Sequence, residues 1–98
     1  MAEIRWTPQA ADDLESIVNF IAKDSPYYAR LFAIDVSGAV DRLLDFPNSG
    51  RTVPELKDPT IREIILGHYR IVYRIKRETV HVLTVHHGAK FLDPSKLK

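Results

Sequence analysis

The sequence has no cysteine. Neither a disulfide framework nor a thiolate zinc site can therefore be built. No apolar run approaches the roughly 20 residues that a membrane-crossing helix needs. The opening Met1-Ala2-Glu3-Ile4-Arg5-Trp6 is broken by charge at once and has no apolar signal core. No repeat, linker or low-complexity stretch argues for a second domain. No carboxylate or cysteine recurs at metal-ligand spacing, and the adjacent His86 and His87 make no metal motif, since they point to opposite faces of any strand. The expectation is one domain over residues 1–98, cytoplasmic, with no metal, no cofactor and no membrane partner.

What is present is the composition of an ordinary soluble globular chain: 98 residues, 45% hydrophobic and 28% charged. That suffices for one modest core. The net charge of +1 hides an asymmetry, because residues 1–47 hold four basic and eight acidic side chains while residues 48–98 hold ten basic and five acidic. A basic half beside an acidic half suggests either an anionic partner or two solvated faces.

Glu3 to Thr7 reads as a short strand that stops at Pro8. Thr7 can cap a following helix with Pro8 at its first position, where no backbone donor is needed. Ala11, Leu14, Ile17, Val18 and Ile21 recur at helical spacing, which predicts a helix to about Lys23, with Asp12 and Asp13 in its first turn. Ser25-Pro26 restarts the same grammar, and Phe32, Val36, Ala39, Val40 and Leu43 give a second apolar stripe. Phe46-Pro47-Asn48-Ser49-Gly50 is a stop. Two amphipathic helices joined so closely form a helical hairpin.

After Gly50 the period changes. Arg62 to Leu66 is a strand candidate that ends at Gly67. From Tyr69 to Lys76 the chain alternates, with Tyr69, Ile71, Tyr73 and Ile75 on one face and Arg70, Val72, Arg74 and Lys76 on the other. Val80 to His86 is apolar and β-branched enough for a third strand, entered through a turn at Arg77-Glu78-Thr79. The predicted class is α+β: a strand, a two-helix hairpin, then a three-stranded antiparallel meander with the helices on one face of the sheet. The basic tail from Lys90 to Lys98 is expected to support activity and to add little to the core.

Several segments in order resemble one family. They are Ile4-x-Trp6-x-x-x-Ala10-x-x-Asp13-Leu14-x-x-Ile17, Phe46-Pro47-x-x-Gly50-Arg51 with Val53-Pro54-Glu55-Leu56, Ile61-Arg62-Glu63, Tyr69-Arg70-Ile71-x-Tyr73-Arg74, and Val80-x-Val82-x-x-Val85-x-His87-Gly88. Together they span residues 4–88 and resemble the RelE/ParE toxins of type II toxin–antitoxin systems. The resemblance implies a toxin neutralised by a cognate antitoxin, as a toxin–antitoxin hetero-oligomer or with a homodimer. It also implies one of two targets: the ribosome and its mRNA for RelE-like endoribonucleases, or DNA gyrase for ParE-like inhibitors. A third reading is a non-toxic interaction module.

An endoribonuclease of this kind needs a general base, a proton donor and cations on the phosphorane oxygens. Arg70, His87 and Glu63 are the catalytic candidates on that reading. Arg51, Arg62, Arg70, Arg74 and Lys90 are the target-binding candidates on either. Against them, the Arg70, Arg74 and Lys76 face is more simply read as a solvated sheet face, and Tyr69 and Tyr73 as core. Two features favour the ParE-like side. The helical hairpin is long, and the paired lysines that RelE-like members carry near the start of the sheet are absent, with only Lys57 in that region. Tyr27, Tyr28 and Phe32, near the hairpin turn, are the candidates for docking the antitoxin.

Overall fold

The computed structural model describes residues 3–88 together with residues 92 and 97. The elements run β1 (Glu3–Trp6), α1 (Pro8–Asp24), α2 (Pro26–Asp41), a single 3-10 turn (Arg42–Leu44), β2 (Arg51–Thr52), β3 (Ile61–Leu66), β4 (Tyr69–Lys76) and β5 (Thr79–His87). Both helices start as their cap residues dictate. The Thr7 hydroxyl accepts from the Ala10 amide at 3.1 Å and the Ser25 hydroxyl from the Tyr28 amide at 3.1 Å, each with proline following. Because α1 begins at Pro8, Asp12 and Asp13 fall in its second turn, not its first.

The sheet has five strands in the order β1-β5-β4-β3-β2. The β3-β4-β5 meander is antiparallel, and two further strands complete it. β1 adds parallel to β5, with Glu3 opposite Thr79 and Trp6 opposite Val82, so the sheet is mixed. β2 pairs only Arg51 with Glu63 and Thr52 with Arg62. The turn between β4 and β5 contains no glycine, and Arg77 itself takes the left-handed backbone at φ 57°. Within β5 one residue is extra: Val72 pairs with Thr84 and Tyr73 with Val82, which leaves Leu83 as a β-bulge.

One face of the sheet carries the helices. Ala10, Val36, Ala39 and Val40 meet Ile71 and Val82 there, with Ile4, Trp6, Leu14, Phe32, Ile64 and Leu66 packed around them. A neighbouring cluster joins Leu43, Tyr73 and Val80. The opposite face is covered too, which the alternation of β4 did not suggest. Val53, Ile61, Val72 and Leu83 are capped there by Leu92 and Leu97, all buried. The tail thus contributes to the core through these two leucines, contrary to the expectation from its basic composition. Burying a leucine or valine fully is worth about 1.5–3 kcal/mol.

Candidate functional site

The face of β4 that holds Arg70, Arg74 and Lys76 is covered at Arg70, half-covered at Arg74 and open to solvent only at Lys76. Only 5% of Arg70 is exposed, and its guanidinium is shared between two carboxylates. Its Nε donates to Glu63 Oε1 at 2.6 Å from the adjacent strand β3. Its two terminal nitrogens donate to the two oxygens of Glu55 at 2.6 and 2.7 Å, a bidentate fork. Glu63 is itself fully enclosed and accepts on its second oxygen from Arg51 Nε at 2.6 Å. Two arginines and two glutamates therefore alternate in a linear lattice, Glu55–Arg70–Glu63–Arg51, that ties the loop after β2 to the sheet. The Arg70 guanidinium beside it holds the Glu55 carboxyl at about 2, well below its usual range, and the same pair raises Arg70 above its ordinary value.

Around this lattice the surface opens into a groove of about 470 Å³ lined by Arg51, Glu55, Ile65, Arg70, the Gly67-His68-Tyr69 turn and His87-Gly88. The amide of Gly88 donates to the His68 carbonyl at 2.7 Å, which fixes the end of β5 against that turn. The His68 and His87 rings lie within 8° of parallel with centroids 6.5 Å apart, and Tyr69 meets His87 edge-on at 5.4 Å. A second groove of about 290 Å³, lined by Arg42, Ser49, Gly50 and Ile64 among others, shares Arg51 and Ile65 with the first.

The sequence candidates separate accordingly. Arg51, Arg70 and His87 come together at the first groove, with Glu63 behind them. Arg62 and Arg74 line neither groove. Arg62 instead donates to the Gly50 carbonyl at 2.8 Å, and its Nε is buried without a partner. Lys90 lies outside the described residues. Tyr73 is a structural residue: its hydroxyl donates to the Pro47 carbonyl at 2.8 Å and accepts from the Gly50 amide at 3.0 Å. Of the three aromatic docking candidates, Tyr27 and Tyr28 are 60% and 64% exposed, whereas Phe32 is half-buried, packed on the core and 5.1 Å from the Tyr69 ring. Leu31 and Ile34, one and two turns on from Tyr27, are exposed beside them. Among the described residues no group of three His, Asp or Glu side chains could hold a metal ion, and no helix is long and apolar enough to cross a membrane.

Two residues at this site are marked by no periodicity in the sequence, although Glu55 falls in a segment that resembles the family. Glu55 sits in an irregular loop, where no periodicity marks a side chain as inward, and His68 occupies a turn.

Residues 4–90 match the model of the ParE toxin of type II toxin–antitoxin systems. The chain belongs to the ParE toxin family. It is 33% identical to Toxin RelE2 of Caulobacter vibrioides over 92% of this chain and 99% of that protein. It is 40% identical to protein Y4kP of Sinorhizobium fredii over 87% of this chain and 86% of that one. Among solved structures, the chromosomal ParDE toxin–antitoxin system of P. aeruginosa superposes with a TM-score of 0.73, covering 89% of this chain and 96% of that chain at 24% identity, a likeness of fold. This ParE-family chain is thus a toxin of the type II toxin–antitoxin class.

Proposed function

We propose that this ParE-family toxin arrests growth by binding DNA gyrase, and that a cognate antitoxin neutralises it by docking on the helical hairpin at Tyr27 and Tyr28. The observation that carries the target assignment is the pairing of Arg70 with two carboxylates. An endoribonuclease needs a cation free to take a phosphorane oxygen and a base open to the 2′-hydroxyl. Here both terminal nitrogens of Arg70 are held by Glu55, and Glu63 is enclosed between two guanidinium groups. A binding inhibitor needs only a shaped, charged surface, and the exposed Arg51 on the rim of two grooves supplies that.

The RelE-like alternative, cleavage of mRNA on the ribosome, draws on one observation: His87 and His68 line the same open groove as Arg51. An imidazole there would be the group that takes or gives the proton in the cleavage step. The two readings separate on expression of the chain without its antitoxin. Gyrase inhibition yields filamentation and gyrase-linked DNA breaks, and His87→Gln leaves them unchanged. Ribosome-dependent cleavage of a defined message that disappears with His87→Gln would overturn the gyrase assignment. Normal growth on expression would leave the fold serving as a non-toxic interaction module.

A further inference from the structure

Arg62 and Tyr73 lie opposite each other on β3 and β4, and both side chains end on the loop that precedes β2. The Tyr73 hydroxyl donates to the Pro47 carbonyl at 2.8 Å and accepts from the Gly50 amide at 3.0 Å. Arg62 Nη1 donates to the Gly50 carbonyl at 2.8 Å and to the Asn48 carbonyl at 3.4 Å. Gly50 is thus held at its amide by one side chain and at its carbonyl by the other. That carbonyl belongs to the peptide unit from which Arg51 springs. We infer that Arg62 is a positioning residue for Arg51: through the Gly50 carbonyl it sets the exposed Arg51 guanidinium on the rim shared by the two grooves.

The inference rests on the proposed contact between Arg51 and gyrase, and names what aims that contact. β2 cannot place Arg51 alone, because it is two residues long and pairs only with β3. Among the described residues the Arg51 side chain is tied by its Nε bond to Glu63 at 2.6 Å, and it remains 58% exposed. Where the guanidinium points therefore depends on where the Gly50–Arg51 peptide is held. The loop has no slack on the sheet side, since a Cβ at Gly50 would already meet the Tyr73 hydroxyl and the Glu63 carbonyl. Arg62 lines neither groove, and its Nη1 is spent on backbone carbonyls. It acts on a bound partner through the residue it positions. Its Nε is enclosed with no partner among the described residues, so the loop bonds, and not the fit of the whole guanidinium, are what the residue supplies.

The test is a double-variant cycle on inhibition of purified gyrase, with unfolding midpoints measured on the same proteins. Arg62→Met removes the loop bonds. It should raise the concentration for half-inhibition about tenfold, the scale of losing one interface anchor. In an Arg51→Ala background the same change should have no further effect on inhibition, although it lowers the unfolding midpoint equally in both backgrounds. Arg62→Lys, which keeps a donor-rich head, should retain most of the inhibition. An equal loss of inhibition from Arg62→Met in both backgrounds would reduce Arg62 to a structural or directly binding residue and overturn the proposal. Unchanged inhibition by Arg62→Met, or by Arg51→Ala, would overturn it as well. Should Arg62→Met fold poorly, Tyr73→Phe, which releases the Gly50 amide, takes its place in the cycle with the same expectation. A parent chain that arrests growth without inhibiting gyrase would sink the target reading alone. The cycle is then read on growth arrest, where coupling to Arg51 still decides the role of Arg62. A parent that permits normal growth would overturn both.

Discussion

The carboxylate of Asp13, in the second turn of α1, accepts hydrogen bonds from the Thr84 hydroxyl and from the Val85 amide on β5. This lies just past the Leu83 bulge and beyond Val82, the last residue of β5 that β1 pairs. A helix side chain thus takes over from a missing neighbour strand. Asp13→Ala leaves a part-buried hydroxyl and amide without their acceptor and should cost about 1–3 kcal/mol in denaturant unfolding. Asp13→Asn, which keeps one carbonyl oxygen, should cost less. Equal losses in the two variants would mean that the charge matters more than the bonds.

Gly50 and Tyr73 depend on each other in a different way. A Cβ at position 50 would sit 2.6 Å from the Tyr73 hydroxyl and 2.7 Å from the Glu63 carbonyl, so Gly50→Ala must push the tyrosine or the β3 backbone aside. Tyr73→Phe leaves the Gly50 amide and the Pro47 carbonyl unpaired and should cost about 1–3 kcal/mol. Because both changes disturb one contact, their effects in a double variant should be less than additive. Simple additivity in thermal unfolding would show the two sites to be independent.

Acid should loosen the lattice from the Glu55 side. The folded-state value of Glu55 is lowered from 4.5 to about 2 by its fork with Arg70, so its contribution to stability is present above pH 4.5 and is lost as the pH falls toward 2. Unfolding midpoints measured across that window should fall steadily, and the slope should be shallower in Glu55→Gln. An unchanged slope would assign the acid sensitivity to other carboxylates.

Antitoxin docking can be tested without disturbing the fold. Tyr27 and Tyr28 lie largely in solvent, with their rings edge-on at 5.5 Å, so replacing both by alanine should shift the unfolding midpoint little. Affinity for the antitoxin, measured by calorimetry, should drop about tenfold or more if these rings are anchors. Phe32→Ala is the contrasting control. It should cost stability, because Phe32 packs on the core. Unchanged affinity in the double tyrosine variant would move the docking surface off the hairpin.

Legibility in the sequence followed periodicity. Thr7 and Ser25 announced both helix starts, and the alternation from Tyr69 to Lys76 announced β4 at its full length. The pattern could not tell that the face holding Arg70 and Val72 is covered, since the cover comes from Val53, Leu92 and Leu97, in segments without a repeating pattern. The parallel pairing of β1 was equally hidden, because four residues beside a proline specify a strand but not its neighbour. At the site, Arg51, Glu63, Arg70 and His87 were each nominated singly. Their arrangement as ion pairs turns on Glu55, whose role is set by the path of a loop.

The register of β1 fixes an order of events during synthesis. Glu3 leaves the ribosome long before its partner Thr79, because β5 follows it in sequence by both helices and three strands. The helical hairpin and the β3-β4 turn need only local contacts and can form early, while the first strand waits for β5 to emerge. Until then the sheet has no parallel edge, and the groove residues His87 and Gly88 do not yet exist. The groove is therefore completed only after β5 has emerged, whereas the hairpin that carries Tyr27 and Tyr28 is already made.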